Sequence, residues 1–81
     1  MATLDIEHVD LADLLEVLRT RATELEGEVT GRSQMRDVVA AHLGCSMLEA
    51  EELVDTLIAR GFARVVRDPE GRVGWRLTTE I

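Results

Sequence analysis

All nine strongly basic residues of this chain are arginines, and six stand where they could meet phosphate. Arg32 and Arg36 are four apart, so a helix would put them on one face. Arg64, Arg67, Arg72 and Arg76 crowd the last quarter of the chain. A guanidinium offers five N–H donors in a planar fork that matches phosphate oxygens, and phosphate neutralisation supplies most of the affinity for nucleic acid. Ser46 can add a hydroxyl at the start of a helix. Between the two arginine groups lies the opposite chemistry: Leu48, Glu49, Glu51, Glu52 and Asp55. Carboxylates repel phosphate, and an acidic surface around a leucine suits a protein partner better.

Nothing else in the inventory supports catalysis. His8 and His42 are far apart in the chain, no serine stands near either in a recognisable catalytic arrangement, and His42 is explained by a helix C-terminus, where a cation is favoured. No Gly-rich phosphate loop occurs. Cys45, the single cysteine, excludes an internal disulfide and a multi-cysteine metal site, and it fits a reducing cytoplasm. Its place between two helical segments suggests a small plug of the core. The expectation is no enzyme, no metal and no cofactor.

The chain is strongly acidic, with formal net charge −7, and the charge is uneven. Residues 1–31 hold eight acids against two arginines, whereas residues 60–81 hold five arginines against three acids. Such asymmetry speaks to partners more than to fold. With 81 residues and 46% hydrophobic content, one domain with one core is expected. The N-terminus lacks the basic flank and apolar run of a secretion signal. No stretch approaches the ~20 apolar residues of a membrane span.

The elements that must position these side chains are marked by their ends. Leu11, Leu14, Leu15, Leu18, Ala22 and Leu25 recur at spacings of three and four, which predicts a first helix over about 10–26. Asp10 caps it and Gly27 closes it; an earlier start at Asp5 would extend the stripe through Ile6 and Val9. Glu28-Val29-Thr30 reads as a short strand. Ser33 caps a second helix over about 33–43, with Met35, Val38, Val39, His42 and Leu43 on its mixed face. Gly44 ends it. Ser46 caps a third helix over about 47–60, whose inner stripe is Ala50, Leu53, Val54 and Leu57, and Gly61 stops it.

A β-hairpin follows over about 62–78. Asp68-Pro69-Glu70-Gly71 has the residue preferences of a type I turn. Val73, Trp75 and Leu77 alternate with Arg72, Gly74 and Arg76, which places the first set inward; Ala63 and Val65 face inward on the strand before. Trp75 is expected to be substantially buried against the first or third helix. The fold class is therefore α+β, a small winged helix-turn-helix of three helices, a short strand and a C-terminal hairpin wing.

From Leu43 onward the residues match a known pattern. Leu43-Gly44-Cys45-Ser46, Leu53-Val54-Asp55-Thr56-Leu57, Arg60-Gly61 and Asp68-Pro69-Glu70-Gly71-Arg72 together resemble the winged-helix domain of MarR-type transcriptional regulators. The resemblance covers under half the chain. It implies that Ser46 caps a recognition helix and that Arg72 is the wing-tip arginine, which in that family reaches the DNA minor groove. The chain departs from the pattern in its third helix, where the family presents small polar and basic residues and this sequence presents acids. The flanking dimerisation helices of that family have no counterpart in these residues.

Two functions follow as expectations. The first is a DNA-binding, transcriptional-regulator-like module that grips duplex DNA through the wing and the arginines of the second helix. The alternative is a protein–protein interaction adaptor that uses the acidic third-helix face or the hairpin edge. A basic stripe on one face would favour the first, and an exposed apolar patch containing Met47, Leu48 or Ile58 the second.

Overall fold

Capping chemistry sets most of the helix ends. The computed structural model describes residues 9–22 and 25–78, so a helix start at Asp5, and His8 with it, lies outside the described residues. Asp10 holds an extended backbone conformation, and its carboxylate accepts from the Ala12 and Asp13 amides at 3.0 and 3.2 Å. That satisfies two of the four N–H groups a helix start leaves open. The first helix, α1, spans Leu11–Arg21 and buries Leu14, Leu15 and Leu18.

α1 stops short of the predicted end at Glu26. The reason lies across the fold. Glu26 forms an isolated antiparallel bridge with Gly74, and the Gly27 amide donates to the Val73 carbonyl at 2.9 Å. A backbone cannot serve a helix and a sheet edge at once, so Glu26 pairs with the hairpin and does not continue the helix.

The second helix, α2, spans Glu28–Leu43. Residues 28–30, expected as a strand, form its first turn. The strand-like pairing sits two residues earlier, at Glu26, and Gly27 reverses the chain with φ 79°. Gly31 N–H donates to the Gly27 carbonyl at 3.1 Å and starts the helical ladder, so Ser33 is an interior residue and not a cap. α2 buries Gly31, Met35, Val39 and Ala40; Val38 and Leu43 are half-buried, and His42 is exposed. It ends as expected at Gly44, left-handed at φ 65°.

The third helix, α3, spans Met47–Ala59. Ser46 and Glu49 form a reciprocal capping box, each side chain holding the other's backbone N–H at 3.1 Å. All four predicted inner residues, Ala50, Leu53, Val54 and Leu57, are buried. At the far end the Phe62 amide reaches the Leu57 carbonyl and the Gly61 amide the Ile58 carbonyl. This paired arrangement closes a helix with a left-handed residue, here Gly61 at φ 80°, and delivers the chain straight into a strand.

That strand, β1 (Ala63–Arg67), pairs antiparallel with β2 (Val73–Leu77). Ala63 faces Leu77, Val65 faces Trp75 and Arg67 faces Val73. The turn between them closes with a Gly71 amide to Asp68 carbonyl bond at 3.0 Å, and the Asp68 carboxylate accepts from the Glu70 and Arg72 amides. β2 therefore lies between β1 and the Glu26 bridge, a layout compatible with a winged helix.

The core joins α1, α2, α3 and Ala63 of β1. No polar or charged side chain among the described residues is buried. Trp75 departs from expectation in its burial: it is half-buried, it packs against the core, and its ring lies over Gly31 of α2. Its indole N–H donates to the Gly27 carbonyl at 3.0 Å. A buried indole needs a partner for that N–H, and the first turn of α2 supplies it.

Candidate interaction surface

The arginines of α2 do not stand free. Arg32 is hydrogen-bonded to the Asp55 carboxylate of α3. One turn along, Arg36 reaches Glu51 at 3.3 Å and Asp37 at 3.0 Å. Both partner sets are four apart, 32 with 36 and 51 with 55, so the faces of two packed helices meet as a ladder of opposite charges. The Arg36 guanidinium is held above its ordinary pKa by its hydrogen bonds to Asp37 and then Glu51. These are exposed pairs, each contributing little to stability. Their effect is on the surface: the acids cancel the two arginines.

Between the rungs lies a shallow groove of about 260 Å³, lined by Val29, Arg32, Ser33, Arg36, Glu51, Val54 and Asp55. Val29, Ser33 and Val54 were not predicted as surface-lining residues. The four-residue spacing of opposite charges in two consecutive helices was the available signal for the ladder. The groove itself depends on how the helices cross.

Exposed apolar side chains stand at the start of α2, where Val29 is 77% exposed, and in the N-terminal half of α3. Leu48 is 68% exposed and Met47 52%, and Glu51, Glu52 and Asp55 follow Leu48 at helical spacing. Glu49 belongs elsewhere, since its carboxylate serves the cap of Ser46. Ser46 is likewise committed, its hydroxyl accepting from the Glu49 amide.

The hairpin arginines separate. Arg67 pairs with Glu28 at 3.7 Å, and Arg72 with Glu70 of its own turn at 3.1 Å. The Arg72 side chain is nonetheless 80% exposed at the wing tip. Arg64 and Arg76 lie directly opposite each other on the outer face of the hairpin. Arg64 donates Nε–H to the Gly61 carbonyl, and no acid among the described residues pairs with either. The six arginines thus form no continuous basic stripe: two line the α2–α3 groove, two hold acids near the wing tip, Arg64 folds back on the Gly61 carbonyl, and Arg76 is exposed on β2.

Cys45 sits half-buried in the turn between α2 and α3 and packs against the core. Burial, and then the Glu49 carboxylate, push its thiol pKa up, opposite to what a reactive thiolate needs. His42 approaches Asp13 at 4.0 Å. Among the described residues no three His, Cys, Asp or Glu side chains converge in a metal-binding group, and no helix is long and apolar enough to cross a membrane. Compared with known protein families, curated proteins and solved structures, the chain matches none.

Proposed function

We propose that this chain is a protein-interaction module of winged-helix layout that docks a partner on the N-terminal half of α3 and the adjoining groove. The observation that carries this reading is the engagement of Arg32 and Arg36 by Asp55 and Glu51. A duplex approaching this face would meet carboxylates and arginines already neutralised, so the counterion release that drives DNA affinity is largely lost. Met47 and Leu48 supply the exposed apolar anchor that a protein partner would cover. Glu52, which pairs with no cation among the described residues, favours a basic group on the partner's rim.

Fluorescence anisotropy with duplex DNA at ~50 mM salt tests the reading from one side, with no saturable binding expected. From the other side, a photo-crosslinker at position 48 should yield one dominant adduct from host extract. Purified, that partner should bind the wild type and fail to bind Leu48→Asp.

A second reading rests on Arg72, whose exposed wing-tip position matches the minor-groove arginine of the MarR-type resemblance. On that reading the chain is a transcriptional-regulator-like DNA binder driven by its wing. Salt-dependent duplex binding that Arg72→Ala weakens, with the slope reduced by about one, would move the function to DNA.

A further inference from the structure

We infer that the free edge of β1 accepts an extended segment of an acidic partner, added as a strand beside Val65 and Arg67. The phase of the hairpin hydrogen bonds identifies that edge. The Thr78 amide donates to the Phe62 carbonyl and the Asp68 amide to the Arg72 carbonyl. Hydrogen-bonded pairs recur every second residue, so Arg64 and Val66 turn their backbone groups toward β2. Ala63, Val65 and Arg67 turn theirs away. β2 confirms the phase on its own far side, where the Val73 carbonyl accepts from Gly27 and the Leu77 carbonyl from the Arg19 side chain.

One edge of the sheet is therefore occupied, and the other pairs with no described residue. Ala63 is buried, which closes the edge at its start. From Val65 to Arg67 no backbone group on the outer side bonds to another described residue. An unpaired edge of this kind is a template for another strand.

Charge selects the occupant. Arg64 and Arg76 face each other across the hairpin, and like charges directly opposite are unfavourable. The chain has 16 acids, yet none among the described residues neutralises this pair. A strand added antiparallel to β1 would place one residue opposite Arg64 in a non-hydrogen-bonded pair, where side chains approach most closely. The Arg64 guanidinium gives its Nε–H to the Gly61 carbonyl, and a carboxylate there would take N–H donors that no described acid uses. The residue opposite Val66, which is 38% exposed, would be apolar. A second copy of this chain fits badly: centred on Val65, β1 against itself sets Arg64 beside Val66 of the other copy and supplies no acid.

The probe is an acetylated, amidated peptide Thr-Val-Thr-Glu-Thr, titrated to millimolar concentration against the labelled protein in ¹H–¹⁵N correlation spectra. The control is the same peptide with Lys for Glu. The Val65 and Arg67 amides should shift and exchange more slowly with solvent, and the Glu peptide should bind roughly two- to fivefold tighter than the Lys peptide. Arg64→Glu should reverse that preference. Val65→Pro removes an outward N–H that the hairpin itself does not use, so it should keep the fold and abolish binding of the Glu peptide. Equal binding of the two peptides, shifts confined to α3, or no binding by either would overturn the inference. Because the readout is at β1, its failure leaves the α3 docking surface untouched.

Discussion

The indole of Trp75 lies directly on Gly31. A Cβ built at Gly31 would stand 2.6 Å from Cδ1 of the ring and 3.2 Å from Cε2. Glycine inside a helix costs roughly 0.5–1 kcal/mol relative to alanine, but here the ring leaves no room for a Cβ. The same ring donates to the Gly27 carbonyl, so one side chain pins both the start of α2 and the hairpin.

Gly31→Ala should therefore destabilise the protein, against the direction that helix propensity predicts. Overpacking of this kind costs about 1–3 kcal/mol. Urea denaturation followed by tryptophan fluorescence should show a lower midpoint. A midpoint equal to or above that of the wild type would mean that the ring moves aside freely.

Trp75→Phe keeps an aromatic ring and deletes the N–H. The Gly27 carbonyl then loses a partner, at a cost of about 1 kcal/mol, plus whatever packing the smaller ring forfeits. The far-ultraviolet circular dichroism midpoint reads this loss.

Ser46→Ala removes one half of the capping box. Its expected cost is about 1 kcal/mol, with amide exchange accelerating first at Glu49. Ser46→Asp, which retains an acceptor at a helix N-terminus, should restore most of the stability. Failure of that rescue would show that the hydroxyl serves something other than the cap.

The ladder between α2 and α3 makes a prediction about binding. Glu51→Gln/Asp55→Asn releases Arg36 and Arg32 from their α3 partners and removes two carboxylates. Stability should change by no more than about 1 kcal/mol, because the pairs are exposed. The double variant should acquire salt-sensitive affinity for duplex DNA that the wild type lacks, measured by anisotropy at ~50 mM salt. Unchanged behaviour would mean that the acids do not suppress phosphate binding.

Cys45 should alkylate slowly. Its thiol pKa is raised by burial and by Glu49, so at neutral pH iodoacetamide should modify the folded protein more slowly than the urea-unfolded chain. The linkage sign follows. The folded state keeps the proton to higher pH than the unfolded chain, so this group withdraws stability as pH rises above the ordinary thiol range. Cys45→Ala should remove that contribution from a plot of urea midpoint against pH.

The parts legible in the sequence were those that close within about four residues. Asp10 and Ser46 cap with their own side chains, Gly44 and Gly61 take the left-handed backbone, and Asp68 organises its own turn. The stripes of α1 and α3 announced their buried faces by spacing alone. What the sequence could not determine was decided by partners far along the chain. Glu26 and Gly27 meet Gly74 and Val73, which ends α1 early and moves the strand-like pairing off residues 28–30. Trp75 lies over α2 at a glycine that leaves room for its ring. Which acids Arg32 and Arg36 meet is set by the crossing of α2 over α3, which brings Asp55 and Glu51 beside them. Local hydrogen bonds do not say which distant carbonyl comes within reach, and the matched four-residue spacing of opposite charges leaves open how α2 and α3 cross; tertiary structure supplied both.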